Sequence, residues 1–272
     1  MEKSKFKEIA ISSLNTVLSP FRPGNIAMYH IGRCGSTVLS SLLNQHNNIY
    51  WASEFYSGVF KKWEYSSNGE EVAGKMPADA IDLLKGNMRK AMHRYYGFEM
   101  KPFHHQLIGY SEEAFLKSLD GLGFTYYIHL DRKNRLRKIV SSLIAHEDKM
   151  RYHQEGKAKA KLKQVYVNVD HIVIDFDSKP LLTFLEDYDN QVLSVAKMLE
   201  QKNCLTLTYE DDIQEDPRVG YRKICGHIGI KAKDVVVKLS RTNPFPVRNM
   251  IVNIEEVEEV LSGTNYEWML NE

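Results

Sequence analysis

A chain of 272 residues, 43% hydrophobic and 26% charged, has the make-up of a globular protein able to bury a sizeable core, as one large α/β domain or two small ones. Its 36 Lys and Arg nearly balance 35 Asp and Glu; that argues against a general nucleic-acid coat or a polybasic membrane anchor, though not against a local basic pocket for one anion. Cys34, Cys204 and Cys225 lack metal-ligand spacing and, being odd in number, give no disulfide framework. The early apolar run is too short for a signal peptide and no stretch approaches the roughly 20 apolar residues of a membrane span, so a cytoplasmic protein is expected.

Residues 5–18 have the spacing of a short amphipathic helix ended by Pro20 and Pro23. Asn25 to Ile31 (NIAMYHI) is a compact apolar run after a Pro-Gly turn and reads as a buried strand, broken by Gly32 to Gly35. From Ser36 to Gln45, apolar residues at 38, 39, 42 and 43 give helical spacing. Asn48 to Ala52 predicts a second short strand. Residues 62–79 are polar and contain glycine, as a loop or lid would be. A helix over 79–95, a strand from Gly97 to Phe103 and a short helix from Glu112 to Leu119 follow. Phe124 to Leu130 (FTYYIHL) is strongly β-prone, and helical spacing returns to about Glu147 behind Asn134, a good N-cap residue.

Residues 151–164 are basic and polar, and Val165 to Asp175 holds two β-like pieces. A long helix over 181–201, a strand at Cys204 to Thr208 (CLTLT) and a helix over 217–228 closed by Gly229 come next. The tail is mixed, with a helix expected at 254–262. Strands alternating with helices imply βαβ units and a mainly parallel sheet covered on both faces. Ligands on such sheets sit beyond the carboxyl ends of the strands. A single domain over residues 1–272 is expected, with 62–79 and 151–175 as insertions on the acceptor side.

The loop Gly32-Arg33-Cys34-Gly35-Ser36-Thr37 joins the first strand to its helix. Glycines allow a tight turn that aims backbone N–H groups at a ligand, and the positive end of the helix adds to the anion site. Arg33 supplies a charged fork, and Ser36 and Thr37 can cap the helix or donate to oxyanions. The loop is not a Walker A, because no Lys precedes Ser36. A second anion-binding pair follows: Arg132 at a strand tip and Ser141 about two turns into the next helix can grip one phosphate together. Arg135, Arg137 and Lys138 read instead as a solvated basic face, and Glu210 to Asp212 as capping acids.

Taken in this order the motifs resemble those of sulfotransferases that use 3′-phosphoadenosine 5′-phosphosulfate (PAPS). Arg33-Cys34-Gly35-Ser36-Thr37 resembles the family's 5′-phosphosulfate loop, with Cys34 where Ser is usual. Arg132 followed nine residues later by Ser141 resembles its 3′-phosphate site, with the step of the bacterial branch. Tyr209-Glu-Asp-Asp, then Asp216-Pro217, resembles the family's strand, Tyr-Glu-Asp-Leu and Asp-Pro, which implies that Tyr209 contacts adenine. Arg222 to Ile230 resembles the next helix. The resemblance covers residues 24–230 and implies an α/β, P-loop-NTPase-like three-layer fold. It also implies PAPS as donor, PAP as product and no metal. Cofactor contacts fall on Arg33, Cys34, Gly35, Ser36, Thr37, Arg132, Ser141 and Tyr209. Arg248 would close over the 3′-phosphate, although the family's Arg-Lys-Gly tripeptide is absent.

Sulfuryl transfer should make the demands of phosphoryl transfer: in-line oxygens and stabilisation of a charged leaving phosphate. Arg33 is the expected leaving-group clamp. Glu54, just after the second strand, stands where related bacterial enzymes carry a glutamate, and a carboxylate there can take the acceptor proton. Lys101, in a stretch similar to a Gly-Phe-Lys strand of that branch, would neutralise the sulfuryl group. His104 or His105 is an alternative base, His30 reads as structural, and Trp51 and Tyr56 as candidate acceptor-pocket walls. The acceptor is a hydroxyl or amine of a small molecule, carbohydrate or lipid. A phosphotransferase on the same fold and a non-catalytic nucleotide-binding protein are the competing readings.

Overall fold

The computed structural model describes residues 21–66, 79–148, 153–154, 161–174, 177–241 and 243–271. The β-prone runs become β1 (Asn25–His30), β2 (Ile49–Trp51), β3 (Tyr95–Met100), β4 (Phe124–Asp131) and β5 (Cys204–Thr208). Every pairing among them is parallel, in the order β2-β3-β1-β4-β5. β1 lies in the centre, and all six of its residues are buried. A strand covered on both faces needs the unbroken apolar run seen in its sequence rather than alternation.

Ten α-helices are described: α1 (Ser36–Leu43), α2 (Phe55–Ser66), α3 (Ala80–Met88), α4 (Pro102–Ile108), α5 (Glu112–Gly121), α6 (Arg135–Asp148), α7 (Leu181–Met198), α8 (Tyr209–Asp212), α9 (Arg218–His227) and α10 (Ile254–Leu261). The strand pleat sends Ile26 and Met28 to one face, where they pack with Leu39, Leu42, Ile139 and Ile224 of α1, α6 and α9. Ala27 and Tyr29 point to the other, against Leu84 of α3 and Phe115 and Leu119 of α5. Helices therefore cover both faces, and the α/β three-layer architecture is as expected.

Several local expectations change. The helix over 79–95 ends sooner: α3 stops at Met88, a single 3₁₀ turn spans Arg89–Ala91, and β3 already begins at Tyr95. β3 also stops before Phe103, because Pro102 has no N–H for a strand ladder but suits the first turn of α4. His104 and His105 are thus helical residues. The span 62–79 is helical over its first residues, within α2, and residues 67–78 lie outside those described, as does the helix expected at 5–18. In the region 165–175, Ile172–Ile174 pairs antiparallel with Asp177–Lys179, while Val165 makes only an isolated bridge to Ile251. His153–Gln154 pairs antiparallel with Leu239–Ser240.

Gly97 marks where the edge strand fits closest. It lies opposite Trp51 in the β2–β3 register, and a Cβ there would stand 2.1 Å from the indole.

Candidate functional site

The loops after β1 and β4, neighbouring strands of the sheet, meet at its carboxyl edge, where the chain runs on from β1 to β2 at one edge of the sheet and from β4 to β5 at the other. A cleft of about 550 Å³ opens there. Its lining carries Arg33, Lys101, Arg132, Arg137, Lys138 and Arg241 against the carboxylates of Glu54 and Glu215, so its field suits an anion.

Three residues of the first loop have left-handed backbone: Gly32 (φ 82°), Arg33 (φ 57°) and Gly35 (φ 82°). Such turns cup successive N–H groups into an anion-binding concavity. Gly35, not Ser36, occupies the N-cap position of α1, and no side chain caps the helix; the expected Ser36 cap is corrected on this point. The amides of the first turn are therefore left to other acceptors. Gly35 is required on two counts: its φ, and a Cβ that would lie 2.8 Å from Ile213 and 3.1 Å from Tyr209. Cys34 is fully buried with its thiol donating to the Gly32 carbonyl (3.0 Å), and burial pushes its pKa up to about 12. It packs under the loop and offers the cleft no side-chain contact, whereas Ser36 and Thr37 line it.

His30 holds the loop from beneath. It is 1% exposed, accepts the Gly32 N–H at Nδ1 (3.0 Å), and pairs through Nε2 with Glu99 (3.2 Å). Glu99 also accepts the Trp51 indole N–H (2.8 Å). Burial opposes ionisation of Glu99, yet His30 and the Trp51 indole N–H together hold the carboxyl below its usual range. His30 is structural, as expected. Trp51 and Tyr56 are core residues, the latter donating to the Ala80 carbonyl, and neither lines the cleft.

Arg132 leaves the tip of β4 and lies 5% exposed. Its Nη1 donates to the Arg33 carbonyl (2.8 Å), and the guanidinium stacks 4.2 Å from the Tyr209 ring centre. Its Nε is buried with no hydrogen-bond acceptor among the described residues. Ser141, in α6, accepts from Arg33 Nε at 2.9 Å. The two corners expected to be separate are thus joined directly, with Arg33 reaching across. Thr208 caps α8 and sets Tyr209 at its start. Glu210 accepts the Lys133 and Asn134 amides (2.9 and 3.1 Å), and Asn134 caps α6 by accepting the Arg137 N–H (2.8 Å). Asp212 accepts the Thr208 amide (2.8 Å), so Glu210 and Asp212 cap as the sequence suggested, whereas Asp211 pairs with Lys133 at 2.6 Å.

The basic face of α6 is not solvated. Arg135 and Arg137 are 5% exposed and Lys138 is 2% exposed. Arg135 is held by Asp131 and Asp189 (2.8 and 3.1 Å), Arg137 donates to the Asn243 carbonyl (3.0 Å), and Lys138 lies 3.7 Å over the Tyr188 ring. Arg137 and Lys138 line the cleft. Their spacing of four and three residues from Ser141 places all three on one helix face, a signal present in the sequence. Arg241, which also lines the cleft, had no such signal.

On the opposite wall Lys101 pairs with Glu54 at 2.7 Å, the side chains being 16% and 27% exposed. Ser57 donates to the same carboxylate (3.0 Å) and lies 2.8 Å from His104 Nε2, while His104 Nδ1 accepts the Lys101 amide (3.1 Å). Burial works against the Glu54 charge, but Lys101, His30 and Ser57 together hold the carboxyl down at about 2. Burial and then the Lys101 charge push His104 down to about 3. The His30, Glu54 and Glu99 ligand atoms lie within 4.8 Å of one another, a grouping the spacing in sequence did not reveal; the Lys101 ammonium already answers the Glu54 charge there.

Two further expected residues stay outside. His105 is 4% exposed, stacked on Tyr29 and edge-on to Phe115, and burial pushes it down to about 4. It does not line the cleft, because α4 turns it into the core. Arg248 sits on the surface, ion-paired with Glu258, on a 3₁₀ turn that turns it away from the cleft.

A scan against protein-family models and a search of curated proteins find no match. Among solved structures, retinol dehydratase in complex with androsterone and inactive cofactor PAP is similar at 14% identity with a TM-score of 0.34. The match covers 78% of this chain and 61% of that one. A likeness this distant carries no argument about activity. Among the described residues, no helix is long and apolar enough to cross a membrane.

Proposed function

We propose that this chain is a sulfotransferase that moves a sulfuryl group from PAPS to a hydroxyl or amine of a small-molecule, carbohydrate or lipid acceptor, releasing PAP. The observation that carries the reading is one cleft in which the uncapped loop 32–37 meets Arg33, Arg132, Ser141 and Tyr209. The buried Arg132 Nε, without an acceptor among the described residues, fits a phosphate oxygen, since an orphaned buried donor is costly. When bound, PAPS supplies the activated sulfuryl group. The loop amides and Arg33 hold the 5′-phosphate and offset its growing charge as a leaving group. Arg132 and Ser141 hold the 3′-phosphate, with Ser141 released as Arg33 turns to the other phosphate, and Tyr209 faces adenine. Arg241 replaces Arg248 as the tail's cation at the cleft. Glu54 takes the acceptor proton, and Lys101 neutralises the sulfuryl oxygens. Val173 and Ile174 line the same cleft, which supports an acceptor-side role for that insertion.

Calorimetric titration with PAP and with ATP, followed by a labelled-sulfate transfer screen against pooled acceptors, tests the reading. Tight PAP binding with transfer supports it. Preference for ATP, or PAP binding with no transfer to any acceptor, would move the assignment to a phosphotransferase or to a binding protein.

A further inference from the structure

The pair Lys101–Glu54 poses a problem that its own surroundings resolve. Among the described residues, Glu54 is the cleft-lining carboxylate on the segment that follows β2, yet Lys101 caps it at 2.7 Å. A carboxylate so paired is a weak proton acceptor. Lys101 also reaches the phosphate loop: its Cε and Nζ lie 3.5 and 3.9 Å from where a Cβ on Gly32 would stand. Gly32 has no side chain to block that approach. The ammonium therefore sits between a carboxylate on one side and an anion-binding backbone on the other, and a short rotation about its flexible stem exchanges them.

We propose that Lys101 is a two-position gate on the acceptor base: it pairs with Glu54 while the loop is empty and shifts to the Gly32 side when an anionic donor lies on the loop, freeing the Glu54 carboxylate. This rests on the sulfotransferase reading above. The carboxylate does not collapse when Lys101 leaves, because Ser57 still donates to it at 3.0 Å and His104 backs Ser57 at 2.8 Å. Three other titratable groups stand around it among the described residues. His30 from β1 lowers its pKa, Glu99 from β3 is a second carboxylate nearby, and His104 from α4 stays neutral. With Lys101 displaced toward a bound anion, the strongest opposing charge is gone and the base is switched on only when there is a group to transfer. The step balances: the acceptor O–H proton passes to Glu54, the acceptor oxygen bonds to sulfur, and the sulfur–oxygen bond to the 5′-phosphate breaks with its electron pair leaving on that phosphate. Acceptor activation without donor is thereby suppressed.

The test is a carboxyl-carbon NMR titration of the full chain labelled at glutamate Cδ, with the Glu54 signal assigned from Glu54→Gln. Without nucleotide, the Glu54 signal should stay that of a carboxylate down to the acid limit of the fold. Saturating PAPS, with binding verified by amide shifts in residues 32–37, should raise its midpoint by about two pH units, the size expected when one close opposite charge is removed. Lys101→Met should show the raised midpoint before PAPS is added and no further response. PAPS binding that leaves the wild-type midpoint unmoved overturns the gate and leaves the sulfotransferase reading standing. Failure of PAPS to shift the loop amides overturns both. The wild-type titration decides the matter even if Lys101→Met does not fold.

Discussion

Arg132 has one cleft-side donor left over among the described residues. Its Nη1 is engaged by the Arg33 carbonyl and its face by Tyr209, but its Nε has no acceptor among the described residues. Charge-assisted hydrogen bonds of this kind contribute about 1.5–3 kcal/mol. Arg132→Ala should therefore weaken PAP binding roughly 10- to 100-fold by calorimetry, and Arg132→Lys should recover only part, lacking the fork. His105 makes the opposite case. Its pKa falls from 6.5 to about 4 on folding. A group depressed in this way gives stability that is whole above pH 6.5 and drains away as pH falls to about 4, because the unfolded chain takes up the proton first. With the ring 4% exposed, the loss amounts to about 3 kcal/mol. His105→Leu should shrink the drop in denaturant stability between pH 7 and pH 4 by about that amount, with PAP binding kept. A loss of PAP binding in that variant would return His105 to the site.

At the scale of elements, short breaks in the pattern placed the chemistry. The three left-handed residues between β1 and α1 open the helix end to an anion. Pro102 converts the expected end of a strand into α4, which turns His104 toward Ser57 and His105 into the core. The β2–β3 edge carries Glu54 on the segment after Trp51, and Gly97 admits the indole against β3. Gly97→Ala should cost at least about 2 kcal/mol by chemical denaturation, since overpacking against a rigid ring cannot relax cheaply. It should also weaken transfer through displacement of Glu54. An unchanged denaturation midpoint would show that β2 is free to shift.

Across the whole molecule, the sheet order brings loops about 100 residues apart in sequence into hydrogen-bonding contact, Arg33 with Arg132 and Ser141. A ligand that binds only this assembled edge stabilises the fold by mass action. PAP at 100 times its Kd should add about 2.7 kcal/mol and raise the melting temperature, and ADP at the same concentration, lacking the 3′-phosphate, should raise it less. Equal shifts from both would remove Arg132 and Ser141 from a 3′-phosphate role. The alternation of buried runs and helical spacing was enough to set the strands, most helices and the α/β class, because burial on both sheet faces imposes its pattern locally. The loop 32–37 was legible for the same reason: glycines and a helix start act over a few residues. The burial of Arg135, Arg137 and Lys138 was not, because partners such as Asp189, Tyr188 and Asn243 come from distant segments. Nor were the inward turn of His105, the surface pairing of Arg248 with Glu258, or the closure of Lys101 on Glu54. Which charges face one another across a cleft depends on how separate segments pack, and only the tertiary structure decides that.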